Sequence, residues 1–530
     1  MDPRTIALLV IVAAPALGAD DYVGSKACAG CHKAVYDAYV KTPMGRAATP
    51  ASEHLGLAKE RASVQHDKFD RRFEVYVEDG KLYQAEAGEK FRSVHPVEYA
   101  LGSGENGLSF IVRRGDHLFQ APLSYYSRAR GWGLSPGYEF ADLGFNRPIA
   151  AMCIACHSGR PQPVAQRNGQ FLDPPFRELS IGCESCHGPG RAHIQSGGGK
   201  QNVVNPKRLA AARAEDICMN CHQGGDTRIL QPGKTVLDFR PGQALSDTVA
   251  IFKLPRTREA ADVDLLEHNE SMRLSRCYRE SKGTLNCITC HNPHATATAD
   301  YRGVCLGCHV KSFAATHPAK DSDCVSCHMP KRDIGFIAHS ALTNHRIVRQ
   351  RGEGLPEMAF AQSGDLVYFN SAPGKALPLL TSLQAYGELA ERRPSYPQRF
   401  QELLDRAAKE IPNEPIVLAS LGRRALRAQS FDAAIQHLTK AVERGSEAYT
   451  TYEDLDQALA GADRLEEGVK ALQRGIELAP YTPVLYKTLA LRFIKLKRYP
   501  DAKQTLGRYI ELFPEDDFVR KLLAQVSGAR

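Results

Sequence analysis

The chain contains no long uninterrupted apolar run. The longest apolar stretch, Thr5–Leu17, has too few residues to cross a bilayer, and no later stretch is long enough either. The βαβ pattern that surrounds thioredoxin-like Cys-x-x-Cys motifs is missing, and Cys-x-x-Cys-Lys does not occur. These absences argue against a membrane-spanning mature protein and against a thioredoxin-like oxidoreductase.

Cysteine, in contrast, is abundant and regularly placed. Fourteen of the fifteen cysteines fall in seven copies of Cys-x-x-Cys-His. This pentapeptide is typical of c-type heme attachment, in which the two thiols bond to the porphyrin and the adjacent histidine reaches the iron. We number the copies first to seventh along the chain: Cys28–His32, Cys153–His157, Cys183–His187, Cys218–His222, Cys287–His291, Cys305–His309 and Cys324–His328.

Two other uses of cysteine fit this pattern poorly. Disulfide pairing would not place a histidine after every second cysteine, and zinc ribbons take their ligands in fours without needing seven histidines. The sequence therefore predicts seven covalently attached hemes c. The predicted attachment residues are Cys28, Cys31, Cys153, Cys156, Cys183, Cys186, Cys218, Cys221, Cys287, Cys290, Cys305, Cys308, Cys324 and Cys327, and the predicted proximal iron ligands are His32, His157, His187, His222, His291, His309 and His328.

The first residues have the pattern of an export signal. Arg4 supplies positive charge, an apolar stretch follows, and the small residues around Ala16-Leu17-Gly18-Ala19 suit cleavage. We therefore expect 1–19 to be a signal peptide and the protein to be periplasmic or otherwise exported. The formal charge of +8 is outweighed by the propionates of seven hemes, so the basic excess does not predict a nucleic-acid partner.

The heme region, 20–350, offers only about 45 residues per heme, too few for a conventional apolar core, so the porphyrins are expected to serve as core. An exception lies between the first two motifs. Phe73–Glu86 alternates apolar and polar residues around Asp79-Gly80, and Leu108–Tyr126 does so around Gly115-Asp116. These hairpin signals predict a small β-rich insertion at about 69–150. Its aromatic residues, Tyr125, Tyr126, Trp132 and Tyr138, could line a heme or a pocket, but we favour a role as the core of the sheet.

A repeat of period 34 occupies the C-terminal region. Gly422, Asp456 and Ala490 hold one repeat position, and Ala434, Gly468 and Ala502 hold another where two helices cross closely. This is the tetratricopeptide (TPR) pattern of paired antiparallel helices. After a linker at 351–380, the predicted TPR domain spans 381–530, with a degenerate repeat at 381–414, repeats at 415–448, 449–482 and 483–516, and a closing helix at 517–526. The TPR ligand is unknown: a partner segment, the cytochrome itself or a second copy all fit.

Distal ligands decide whether an iron only carries electrons or also binds a small molecule. A residue three positions from a proximal histidine cannot loop around the ring, so His294 should serve a neighbouring heme, and His193 likewise. The candidate distal ligands are His193, His294, His339, His345, His54, His95, His268, His317 and the thioether of Met44, whereas His66 and His117 are weaker. Any of these histidines could instead be an ordinary surface or propionate-binding residue.

Cys277 is the cysteine left over from the motifs. It could form an intermolecular link, react or ligate iron, but a small buried side chain is the commoner case.

The heme region resembles the exported multiheme cytochromes of the cytochrome c-554 type and their TPR-bearing relatives. The resemblance rests on YVGSKACAGCHKAVYDAYVKTPMGRA, IGCESCHGPGRAH, the Cys277–His294 stretch and DCVSCHMPKRDIGFIAHSALTNHRI. It implies closely packed, mostly bis-histidine hemes that carry electrons between periplasmic redox partner proteins. Seven motifs and the β-rich insertion depart from that family's better-known four-heme member.

We therefore expect a mainly α fold, with a heptaheme domain of little regular structure followed by an α-solenoid. The favoured function is electron transfer between redox partners, with TPR repeats for protein–protein interaction. The alternative is an enzyme, a reductase or oxidase of a small nitrogen or sulfur compound at one five-coordinate heme. The sequence leaves enzyme activity open, and the missing Cys-x-x-Cys-Lys argues only against the lysine-ligated nitrite reductases.

Overall fold

A computed structural model describes residues 21–528 apart from 142, 259–266, 296–299, 317–322, 334–340, 351, 362, 372–373 and 375, and it leaves out the side chains of 310–316 and 341. The predicted signal peptide lies outside the described residues. The described chain forms an antiparallel sheet, a set of short heme-motif helices and a C-terminal stack of helix pairs.

The sheet is antiparallel and has ten strands. It follows helix α1 (Ser25–Tyr39), which carries the first motif and has a kink at His32. The strands are β1 Ala48–Pro50, β2 Ala62–His66, β3 Arg71–Glu78, β4 Lys81–Ala87, β5 Arg92–Leu101, β6 Gly107–Arg114, β7 His117–Gln120, β8 Leu123–Tyr126, β9 Gly131–Leu134 and β10 Arg147–Pro148.

Both predicted hairpins are present. Glu78 pairs with Lys81 across Asp79-Gly80, whose φ angles of 47° and 71° are both in the left-handed region that a two-residue turn of this type needs. In the second hairpin Arg114 pairs with His117. The core of the sheet is apolar, and of the four aromatic residues singled out from the sequence, Tyr126 and Tyr138 are buried while Tyr125 and Trp132 pack against its edge.

The expectation of a small β-rich insertion in a mainly α chain is wrong in extent. The sheet begins at Ala48, well before residue 69, because β1 pairs with the distant strand β5 (Ala48 opposite Leu101, 53 positions later). Such long-range pairing leaves little local pattern in a three-residue strand. The description as mainly α therefore holds for the C-terminal part of the chain and not for the N-terminal part.

The other six motifs overlap helices that are separated by loops, further short helices and two- or three-stranded sheets. The helices are α2 Ala151–His157, α3 Glu184–His187, α4 Arg191–Gln195, α5 Ala211–His222, α6 His268–Leu274, α7 Arg276–Glu280, α8 Cys287–Cys290, α9 Tyr301–Thr316 and α10 Cys324–His328. Those that the motifs overlap are α2, α3, α5, α8, α9 and α10. The antiparallel sheets are β11 Arg160–Pro163 with β12 Phe171–Glu178, β13 Thr227–Leu230 with β14 Val249–Lys253 and β17 Val367–Tyr368, and β15 Lys331–Asp333 with β16 Ala341–Thr343. Strand β17 comes from the segment expected to be only a linker.

The C-terminal helices form antiparallel pairs. They are α11 Leu379–Glu388, α12 Tyr396–Glu410, α13 Pro415–Arg427, α14 Phe431–Glu443, α15 Tyr449–Gly461, α16 Leu465–Leu478, α17 Pro483–Lys495, α18 Tyr499–Leu512 and α19 Asp517–Gly528. Helices α13, α15 and α17 begin 34 residues apart, as the repeat period requires. Small residues sit where the helices cross: a Cβ on Gly422 would lie 2.5 Å from Leu438. No helix in the described parts of the chain is both long enough and apolar enough to cross a membrane.

The helix stack rests through one edge on the ten-stranded sheet and on the loop between β11 and β12. Glu447, Tyr481 and Glu515 occupy the same position of three successive repeats, in the turns between them. Glu447 pairs with Arg167 at 3.4 Å, the Tyr481 hydroxyl donates to the Arg114 carbonyl at 3.1 Å, and Glu515 accepts from the Asn146 amide at 2.7 Å. At the other end of the stack, α11 packs on β13 and β14.

Candidate heme-binding sites

Four of the motif histidines each face a second imidazole ring. The distances between ring centroids are 6.3 Å for His32 and His193, 5.9 Å for His187 and His294, 5.7 Å for His222 and His268, and 6.1 Å for His291 and His345. The first two pairs are nearly parallel, with interplanar angles of 14° and 11°.

This spacing suits two imidazoles on opposite sides of one metal ion. Metal–nitrogen bonds of about 2 Å on each side place the two ring centroids about 6 Å apart. Imidazoles in direct contact would be closer, as the tilted rings of His268 and His345 are at 4.4 Å. The four pairs therefore fit heme iron, which supplies reversible one-electron chemistry when it is bound.

Hydrogen bonds fix which nitrogen each ring offers. Nδ1 of His187 lies 2.7 Å from the Val204 carbonyl, and Nδ1 of His193 lies 3.1 Å from the Gly199 carbonyl. His328 and His345 make the same kind of bond. Because a carbonyl can only accept, Nδ1 must carry the proton, which leaves Nε2 of a neutral ring with its lone pair free for a metal. Such bonds are the usual support of metal-ligating histidines.

Three of the four facing histidines come from segments that follow a motif other than the one they face. His193 lies six residues after the third motif but faces the first, and His294 lies three residues after the fifth motif but faces the third. His345 follows the seventh motif and faces the fifth. His268, which begins α6, faces the fourth. Neighbouring motifs are thus interlocked.

A buried carboxylate ties the first motif to the third. Glu184, inside the third motif and 3% exposed, accepts the backbone N–H groups of Val23 and Gly24 at 2.8 to 3.1 Å and that of Gly190 at 2.7 Å. Ser25 adds a bond, since its hydroxyl accepts the Cys183 N–H at 2.8 Å. These contacts hold the start of α1 and the turn before α4 together, so Glu184 positions His32 opposite His193. No sequence signal marks this glutamate, because it occupies a variable position of the motif.

We expect Glu184→Gln to loosen the N-terminal segment. The glutamine side chain has one acceptor oxygen fewer, and its NH₂ group faces backbone N–H groups that can only donate. Leaving one of these N–H groups without an acceptor costs about 2 kcal/mol of unfolding free energy. Trypsin should then cut at the exposed Lys26 faster than in the wild type, and the low-spin signal of one heme should be lost at a lower temperature. Glu53→Gln, on an exposed surface, is the matched control, and equal cleavage of both variants would contradict this role.

The remaining candidate ligands are placed differently. Nε2 of His54 is 2.7 Å from the Thr49 hydroxyl, and Nε2 of His95 is 2.9 Å from the Ser93 hydroxyl, with the His95 ring against Phe145. Neither ring contacts a motif histidine within the described residues, so the structure does not bring these two to a motif. Met44 lies in the turns between α1 and β1. His317 and His339 lie outside the described residues.

No disulfide joins any two of the fifteen cysteines, all of which lie among the described residues. Cys277 lies near Cys290 of the fifth motif and Cys308 of the sixth, and burial raises the pKa of its thiol. Two arginines missed as site residues, Arg228 and Arg273, each bury an Nε–H group that has no partner among the described residues. Unpaired buried donors beside heme motifs fit propionate carboxylates.

Comparisons with known proteins agree with this site. The family described as cytochrome c554 and c-prime matches residues 143–188, which hold the second and third motifs. The C-type polyheme cytochrome OmcB of Geobacter sulfurreducens is 22% identical over 232 residues, which cover 37% of this chain and 29% of the relative. The chain thus spans less than a third of the length of the curated relatives it matches.

Solved structures match the helical part at low similarity. MamA 41-end from Desulfovibrio magneticus RS-1 is 21% identical over 26% of this chain and 78% of its own, with a TM-score of 0.23. The Arabidopsis OM64 TPR domain is 14% identical over 21% of this chain and 93% of its own, with a TM-score of 0.20. TM-scores this low carry no argument, and the repeat assignment rests on the period of 34 and the helix pairs themselves.

The paired imidazoles and the Cys-x-x-Cys-His motifs define the class as c-type cytochromes. Within that class, this chain is a cytochrome c with TPR repeats, similar in part to cytochrome c554 and to a polyheme cytochrome.

Proposed function

We propose that the protein is an exported heptaheme cytochrome that transfers electrons between redox partners. The observation that carries this proposal is the set of four facing imidazole pairs, one for each of the first, third, fourth and fifth motifs. An iron with histidine on both sides has no open position for a substrate, so it suits electron transfer. Seven attachment motifs along 20–350 support the heme count, and the N-terminal segment 1–19 supports export.

The chain's own residues do three things in this function. The motif cysteines anchor each heme, the facing histidines fix its orientation, and carbonyl bonds such as that of Val204 to His187 hold the imidazoles in place. Buried arginines near the motifs would balance propionate charge. The TPR domain, 381–530, would bind a redox partner or another protein through the surfaces that its contact edge with the sheet leaves free.

Electron paramagnetic resonance of the oxidised holoprotein tests this function. We expect low-spin ferric signals from the four hemes with facing histidines, and mass spectrometry of the denatured chain should give seven heme increments. High-spin signals from four or more hemes, or fewer than seven increments, would overturn the proposal.

A second candidate function is reduction or oxidation of a small nitrogen or sulfur compound at an open heme. One observation favours it. His157 of the second motif faces no other imidazole ring within the described residues, unlike the motif histidines at 32, 187, 222 and 291. A heme held from one side only can bind a ligand on the other.

Ligand addition separates the two functions. If the second motif carries an open heme, the oxidised protein contains one high-spin heme whose spectrum shifts with nitrite, hydroxylamine, sulfite or tetrathionate. His157→Ala removes the ligand on the other side of that iron and should change the spectrum and the shift, whereas His95→Ala should leave both as in the wild type. A spectrum that none of these compounds alters would leave electron transfer as the function.

A further inference from the structure

We propose that the heme segments form a central trio, the third, fourth and fifth motifs, from which three arms extend. The first motif forms an arm from the third, the second motif an arm from the fourth, and the sixth and seventh motifs an arm from the fifth. This arrangement rests on the proposed electron-transfer function and deepens it, because it names three ends at which electrons enter or leave. Chain order alone would place the second motif between the first and third.

The trio is defined by contacts among three motifs. Cys186 of the third motif packs against an apolar cluster that includes Ile217 and Met219, the residues on either side of Cys218 in the fourth. His294, beside the fifth motif, faces His187 of the third. The fourth and fifth motifs meet where the rings of His268 and His345, their facing histidines, lie 4.4 Å apart between centroids.

The first motif joins the trio at the third motif. Ser25 and Glu184 join α1 to the third motif, and His193, which faces His32, is six residues beyond that same motif. Cys28 of the first motif and Cys183 of the third lie beside each other.

The second motif is attached to the fourth. Cys156 Sγ lies 3.4 Å from the carbonyl oxygen of Asn220, which is inside the fourth motif, and α2 packs against α5. Its other contacts are apolar: Ile154 is fully buried among Ile111, Leu118 and Phe176, which belong to the ten-stranded sheet and to β12. The second motif therefore has the sheet on one side and the fourth motif on the other, which makes it the end of a short arm.

The sixth and seventh motifs continue from the fifth. The Tyr301 hydroxyl at the start of α9 is 3.4 Å from Nδ1 of His291, and the two rings meet edge to face at 5.7 Å. Helix α9, which holds the sixth motif, packs in turn against α10, which holds the seventh. The longest path from motif to motif therefore passes through the first, third, fifth, sixth and seventh motifs. The fourth motif lies beside this path, and the second motif is the end of an arm that leaves from the fourth.

Substituting one facing histidine tests which hemes are neighbours. Methionine in place of a distal histidine raises the midpoint potential of that heme. A heme that is reduced earlier adds negative charge next to its neighbours, and this Coulombic effect falls with distance. In His268→Met the fourth heme should therefore rise in potential. The hemes of the second, third and fifth motifs should shift downward by at least about twice as much as those of the first and seventh.

The measurement is a redox titration followed by NMR of heme methyl signals, each assigned through contacts to the side chains of its own motif. His345→Met is the second variant, and it should shift the hemes of the third, fourth and sixth motifs but not that of the second. His95→Met is the matched control and should shift none. A second heme that does not respond to His268→Met, or a first or seventh heme that responds as strongly as the third, would overturn the three-armed arrangement. If His268→Met gives no methionine-ligation signature at all, the imidazole pairing is wrong instead.

Discussion

In His193→Ala, one heme of the oxidised protein converts from low spin to high spin. The side chain removed faces His32 at 6.3 Å between ring centroids, and its Nδ1 bond to the Gly199 carbonyl leaves Nε2 for the iron. Without that nitrogen the iron of the first motif keeps only His32. An open iron gains a site for external ligands, so the change is all or none for that heme.

The conversion is measured by electron paramagnetic resonance and by cyanide binding, which should add one tight site per protein. His193 suits this test because it lies in a short helix, α4, at the end of one arm, so its loss disturbs few other contacts. His54→Ala and His95→Ala are the matched controls, since both histidines bond to hydroxyls and contact no motif histidine among the described residues. A low-spin spectrum in His193→Ala would exclude this residue as a ligand.

In Arg492→Met, the helix stack loses about 3 kcal/mol of unfolding free energy. Arg492 of α17 donates two hydrogen bonds, at 2.8 and 2.9 Å, to Asp456 of α15, whose side chain is fully buried. Removing the arginine leaves an unpaired charge in the interior between two repeats. Removing an exposed charge pair costs far less, so Arg474→Met, which breaks the surface pair with Glu477, should cost at most about 1 kcal/mol.

Comparison of the repeats suggests a second substitution that should restore the stability lost in Arg492→Met. Asp456 holds the position that Gly422 and Ala490 hold in the neighbouring repeats, so Asp456→Ala restores a residue type the fold already accepts. We expect Asp456→Ala combined with Arg492→Met to recover most of the loss, because the desolvation of a buried ion pair offsets much of its attraction. Denaturant unfolding followed by far-ultraviolet circular dichroism measures all three variants. A double variant as unstable as Arg492→Met alone would contradict this account.

The same pair predicts a pH dependence. Burial raises the pKa of Asp456 above 3.8 even with Arg492 beside it, and without Arg492 the pKa must rise further. A carboxyl whose pKa is higher in the folded than in the unfolded state favours folding most below the unfolded pKa, and this contribution is lost as pH rises through the folded pKa. The stability deficit of Arg492→Met should therefore shrink between pH 7 and pH 4.

The local elements of this structure are predictable from the sequence. The two-residue turn at Asp79-Gly80 is predictable because both positions need positive φ, and the helix pairs are predictable because small residues recur every 34 positions. The extent of the sheet is not, since β1 and β5 are joined only by tertiary pairing.

The heme ligands divide in the same way. Spacing alone keeps His294 away from the heme of His291, but it does not say that the third motif receives it. That choice is made by tertiary contacts, just as Glu184 and Ser25 bring His193 to the first motif by joining segments about 160 residues apart. Likewise, the spacing of His54 and His95 from the motifs does not predict that their Nε2 atoms form hydrogen bonds with the Thr49 and Ser93 hydroxyls.

The edge formed by Glu447, Tyr481 and Glu515 limits how this chain can change its number of repeats. A further helix pair inserted between α14 and α15 would preserve the stacking of the repeats. It would, however, move Tyr481 and Glu515 by the length of one repeat, away from Arg114 and Asn146. A unit added after α19 would leave every anchor in place. We therefore expect duplicated repeats to be tolerated only after α19. The contacts of Glu447, Tyr481 and Glu515 fix the number of repeats that lie before that point.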